Sequence, residues 1–84
     1  MENTRTTDLS KPLIGDVERV EAGDVEVGDW IAESRLATFR QVEGVYTRDV
    51  SVWLRFAPNG SRIRPRRTKR LWRVKPDVVA ALER

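Results

Sequence analysis

From Val17 onward apolar residues recur at short intervals broken by turn formers, with almost no three-and-four helical spacing. The clearest stretch is Val50 to Ala57. Val50, Val52, Leu54 and Phe56 fall on one face while Ser51, Trp53 and Arg55 fall on the other, the two-residue period of a half-buried strand. Pro58-Asn59-Gly60 follows, and because Asn-Gly tolerates positive φ it predicts a tight hairpin. Ser61 to Arg64 then pairs back with Ile63 inward and Arg62 and Arg64 outward, until Pro65 ends it. Upstream, Val17 to Glu21 starts an extended segment that Ala22-Gly23-Asp24 turns, and Val25 and Val27 lead into a second turn at Gly28-Asp29. Trp30-Ile31-Ala32 is the next strand. Phe39 to Tyr46 follows, with Gly44 marking a bulge or bend, and Thr47-Arg48-Asp49 supplies a hairpin loop. Leu71 to Val74 forms a last short strand. After Pro76, Asp77 stands at a helix N-cap position, and Val78 to Leu82 makes one or two turns that pack Val78 or Val79 and Leu82 on an open barrel end. Residues 1–16 are polar and Thr-rich, which predicts a flexible arm with Leu13 and Ile14 as its contacts with the body.

Five to six short antiparallel strands with tight turns predict an all-β fold, a small strongly bent barrel rather than a sandwich. The division is an arm over 1–16, a barrel over 17–75 and a short C-terminal helix over 76–84. The run Ala22 to Ile31, with Gly28-Asp29 before the second strand, followed by Val42-Glu43-Gly44-Val45, resembles the opening of SH3-like barrels of the KOW and Tudor type. The resemblance spans roughly Val20 to Val74 and is one of fold. It implies binding to nucleic acid, ribosomes, RNA polymerase or peptide segments.

Charge changes the picture most. Residues 1–34 hold three basic and nine acidic side chains, whereas residues 35–84 hold thirteen and four, so a net charge of +3 hides opposite halves. Between Arg62 and Lys75 stand eight cations and no acid: Arg62, Arg64, Arg66, Arg67, Lys69, Arg70, Arg73 and Lys75. Guanidinium groups bind phosphate oxygens in pairs, so such a strip suits a polyanion or an acidic surface. A solvated edge strand that resists aggregation is the plainer account of the same residues. Thirteen arginines against three lysines point to a high-GC genome, such as an actinobacterium or one of its phages.

Chemistry is otherwise sparse. The 84 residues contain no cysteine and no histidine, which removes disulfides, thiolate metal sites and the commonest general base. The acidic series Asp16, Glu18, Glu21, Asp24, Glu26 and Asp29 matches no cation-binding loop spacing and reads as a polar strand face. No catalytic, metal or cofactor site is expected, and no small-molecule substrate. No apolar run suits a signal peptide or a membrane span, so a cytoplasmic protein is expected.

Trp53 sits opposite the apolar face beside Arg55, where it serves as a stacking platform or interface anchor unless the helix or the arm covers it. Trp72 is a second such candidate, with either Leu71 or Trp72 pointing inward, and Trp30 is assigned to the core. The leading expectation is a nucleic-acid-binding module of low sequence specificity, with Arg62, Arg64, Arg66, Arg67, Lys69 and Arg70 on phosphates and Trp53 with Arg55 stacking. The alternative is a phage or mobile-element module that docks the same basic, Trp-bearing face on an acidic protein surface of a host complex. Pairing of the acidic and basic halves between copies of the chain remains open as well.

Overall fold

The alternation between Ser51 and Phe56 becomes a strand in the computed structural model, which describes residues 8–82. Six strands, β1 (Val17–Glu21), β2 (Trp30–Ala32), β3 (Arg40–Arg48), β4 (Ser51–Phe56), β5 (Ser61–Ile63) and β6 (Arg70–Val74), form one antiparallel sheet in the order β1-β6-β2-β3-β4-β5. A short helix, α1 (Pro76–Leu82), follows. None of the helices among the described residues is long and apolar enough to cross a membrane.

Local chemistry sets the turns. β3 runs through Arg48, so the hairpin loop shrinks to Asp49-Val50, with Asp49 at φ 55. That left-handed conformation is what a two-residue hairpin needs and what aspartate tolerates. Val50 therefore lies in the turn and is exposed, while Val52, Leu54 and Phe56 are buried. In the Pro58-Asn59-Gly60 turn the positive φ belongs to Gly60 alone, at 76°, and the Asn59 side-chain oxygen accepts from Ser61 N–H.

Val42 and Val45 both reach the core although they are three residues apart, which strict alternation forbids. The register slips by one between Val42 and Gly44, and this bulge returns the next side chains to phase.

The sheet is not closed, but it bends in the manner of a small barrel. The chain leaving β5 stays beside β4, where Val52 N donates to Pro65 O at 2.9 Å and Arg67 N to Val50 O at 2.7 Å. It then meets the end of β1, where Gly23 N donates to Arg67 O at 2.9 Å and Ala22 N to Lys69 O at 2.8 Å. Inside the bend lies the main core, built on Val20, Ile31, Val42, Val52, Leu54, Phe56 and Leu71.

A second apolar cluster occupies the opposite face of β1-β6-β2. Val17, Trp72 and Val74 share that face by register with Trp30 and Ala32, and Phe39, Leu9, Val78 and Val79 pack over them. Trp30 is thus half-buried outside the bend rather than part of the main core. Helix α1 likewise covers an outer sheet face and not an open barrel end. It starts at Pro76, which suits a first helical position because its missing N–H has no partner to lose there, and Asp77 stands in the first turn. Seven residues are too few for a stable isolated helix, so the packing of Val78 and Val79 holds it.

The arm reading for residues 1–7 falls outside the described residues. Residues 8–16 lie along the second cluster, with Phe39 N donating to Ser10 O and Lys75 N to Asp16 O, both at 2.8 Å. Leu9 makes the apolar contact, whereas Leu13 and Ile14 are exposed. Asp8 accepts from the backbone N–H and then the hydroxyl of Ser10, and these bonds hold its carboxyl below the usual pKa.

Arg73 shares the inward face of β6 with Leu71 but ends in carboxylates. Its Nε donates to Glu18 Oε2 at 3.0 Å, and its Nη1 lies 3.5 Å from Asp29 Oδ2, which also accepts from Glu26 N. Burial acts to lower the Arg73 pKa, but the Glu18 hydrogen bond and the charges of Asp29 and Glu18 outweigh it and leave the pKa raised. With Arg73 only 20 % and Asp29 15 % exposed, losing the cation strands two poorly hydrated carboxylates. Arg73→Met is expected to cost about 1–2 kcal/mol after allowance for partial solvent access, a fall in Tm of roughly 5–15 °C by calorimetry.

Candidate functional site

While the second cluster covers the outer face of β1-β6-β2, none of the described elements packs over the outer face of β3-β4-β5. Cross-strand register arranges its side chains in three rungs. Gly44, Arg55 and Arg62 form the first. Tyr46 and Trp53 pair on the second, where the Arg64 guanidinium stands 5.0 Å from the centre of the Trp53 ring. Arg48, Ser51 and Arg66 form the third. The rungs border a shallow concavity of about 500 Å³ lined by Tyr46, Arg48, Trp53, Arg55 and Arg62, among others.

Trp53 is half-buried and Tyr46 is 60 % exposed, so both rings present aromatic surface to solvent. The cation over Trp53 comes from Arg64 on the neighbouring strand, not from Arg55 two residues along the same strand. Arg55 is engaged differently: its Nε lies 3.0 Å from Glu43 Oε2, and its guanidinium lies against Gly44. A Cβ at Gly44 would stand 3.3–3.4 Å from that guanidinium, so the missing side chain gives Arg55 its bed. Glu43 borders the face through this ion pair.

The basic strip divides among several environments. Arg62, Arg64 and Arg66 project from the bare face at every second residue. Arg67 and Lys69 have main chains bonded to Val50, Gly23 and Ala22 where the chain crosses between sheet ends, and their side chains are exposed. Arg70 pairs across from Glu21 on the other half of the sheet. Arg73 is held by Glu18 and Asp29, and Lys75 is half-buried. Among the described residues no carboxylate forms an ion pair with the side chain of Arg62, Arg64, Arg66, Arg67, Lys69 or Arg70, and the pairing of Arg70 with Glu21 is one of strand register.

Sequence reading missed Tyr46 and Arg48. The signal lay in the spacing Gly44, Tyr46, Arg48, but assigning its face requires knowing that the bulge precedes it. Trp72 is not free as a platform, because Arg19 at 4.7 Å and Arg35 at 5.8 Å stand over its ring and it packs on the second cluster. The acidic residues do not gather, as no group of three possible metal ligands occurs among the described residues. No family model, curated protein or solved structure matches this chain.

Proposed function

We propose that this chain is a nucleic-acid-binding module that grips the phosphate backbone through the outer face of β3-β4-β5. The observation that carries the reading is the composition of that face: Arg48, Arg62, Arg64 and Arg66, all without carboxylate partners among the described residues, surround Trp53 and Tyr46. Guanidinium groups are weakly hydrated and match phosphate oxygens in pairs, so they gain more from a phosphate than from water. Arg67 and Lys69, exposed where the chain crosses to β1, extend the positive field beyond the three rungs.

Sequence preference should be slight. The rungs carry no Asn or Gln to pair with adenine, and arginines engaged on phosphates position a ligand without reading it. The expected SH3-like barrel and a cytoplasmic location agree with this reading.

Fluorescence anisotropy with labelled single-stranded DNA, RNA and duplex DNA tests the reading. With about four to six phosphates neutralised, affinity should fall roughly 50- to 1000-fold between about 50 and 200 mM salt. Failure to bind any of the three at the lower salt would overturn the reading and favour an acidic protein surface as the ligand of this face.

A further inference from the structure

The three rungs are not symmetrical, and the asymmetry bears on the form of the ligand. Read along the strands, β5 and its continuation carry Arg62, Arg64 and Arg66, an unbroken column of cations. Side chains on one face of a strand are about 6.7 Å apart, the same order as the phosphate step along one nucleic-acid strand. The next column holds Arg55, Trp53 and Ser51, and the last holds Gly44, Tyr46 and Arg48. The unbroken column of three cations therefore lines one side, the two rings lie inward of it on the middle rung, and Arg55 and Arg48 stand singly on the outer rungs.

A single strand has that same one-sidedness, with phosphates along one margin and base faces free on the other. A duplex does not, because its base faces are consumed in its own stack and its phosphates lie in rows on both sides. Laid on this face, a duplex would press Trp53 and Tyr46 against sugar and phosphate and strip water from them for no stacking gain. A single strand offers each ring a base, and base–aromatic stacking tolerates any sequence because every base has a π face. Arg64 stands over the Trp53 ring, so a base that stacks on Trp53 either takes the face away from Arg64 or displaces its guanidinium.

We infer that the ligand is single-stranded nucleic acid, with its phosphates along Arg62, Arg64 and Arg66 and its bases turned onto Trp53 and Tyr46. The inference rests on the reading of this face as a phosphate-binding surface. DNA and RNA share the chemistry involved, and separate arms of the experiment distinguish them.

The test compares labelled oligothymidylate, oligouridylate and a mixed-sequence duplex of equal length against the full chain and two variants, Trp53→Ala and Tyr46→Ala. Tyr46 lies outside both apolar clusters, so Tyr46→Ala keeps the test decisive if Trp53→Ala fails to fold. Single strands should bind more tightly than the duplex, and each variant should weaken single-strand binding by about 5- to 150-fold. The slope of affinity against salt should not change, because no phosphate contact is lost. A duplex bound as tightly as the single strands, with Tyr46→Ala indistinguishable from the parent, overturns this inference and leaves the phosphate-binding reading standing. Failure of all three oligonucleotides to bind overturns both.

Discussion

Changing Arg62, Arg64 and Arg66 together to glutamate is expected to reduce nucleic-acid affinity by about 10³-fold or more at physiological salt. Each substitution removes a phosphate contact and sets a like charge in its place, so both the binding energy and the steering field reverse. The fold should survive. All three side chains are exposed, and the loss inside the protein is mainly the Arg64 contact with the Trp53 ring, about 0.5–1 kcal/mol. Anisotropy measures the binding, and the far-ultraviolet circular dichroism melt reports the fold. Changing Arg67, Lys69 and Arg70 instead serves as the comparison with matched charge. If that triple variant loses binding while the first retains it, the interface lies at the chain crossing and not on the bare face.

Phe56→Ala is expected to cost about 3–5 kcal/mol, the range for deleting a buried aromatic ring. A chain of this length has roughly 4–13 kcal/mol of stability in total, so the variant should be largely unfolded on warming. Phe56 is 2 % exposed in the main core and pairs with Val42 on one side and Ser61 on the other. The Arg40 guanidinium lies 4.2 Å from its ring centre and donates from Nη1 to Ser61 Oγ at 2.6 Å. Losing the ring removes apolar contacts and a seat for that cation together. A urea titration checks the effect: the midpoint should drop sharply with the slope unchanged. A shift of less than about 1 kcal/mol would mean that the β4-β5 end of the core contributes little to stability.

These two expectations lie on opposite faces of the paired strands β4 and β5, and that division was legible early. The period of two from Ser51 to Phe56 requires no tertiary information, because a strand must send alternate side chains to opposite sides, whereas Val50, expected on the buried face, falls in the turn. The turns were legible for a related reason: Gly60 and Asp49 sit where backbone geometry asks for residues that accept positive φ. Boundaries were less so. Residue order alone predicts a hairpin loop over Thr47 to Asp49, whereas pairing with β4 draws Thr47 and Arg48 into β3. The apolar stripe of Val78, Val79 and Leu82 predicts that α1 covers something but not which surface, so the expected barrel end gives way to the outer face of β1-β6-β2.

The strip from Arg62 to Lys75 shows where one-dimensional reading stops. Its charge density and the outward phase of Arg62 and Arg64 follow from residue order alone. That Arg73 serves an internal ion pair depends on Glu18 and Asp29, which are 55 and 44 residues away in sequence. That Tyr46 and Arg48 join Trp53 depends on a one-residue bulge, and such a slip inverts the face of every side chain beyond it. That Trp72 packs on an apolar cluster while Trp53 lies outside both depends on which half of the sheet receives residues 8–16 and α1. Sequence by itself determined the strand class, the turns and the excess of arginine, because these are properties of neighbours along the chain. Only the tertiary structure decided which arginines share a surface with aromatic rings, because register and the choice of covered face are set by contacts between residues far apart in sequence.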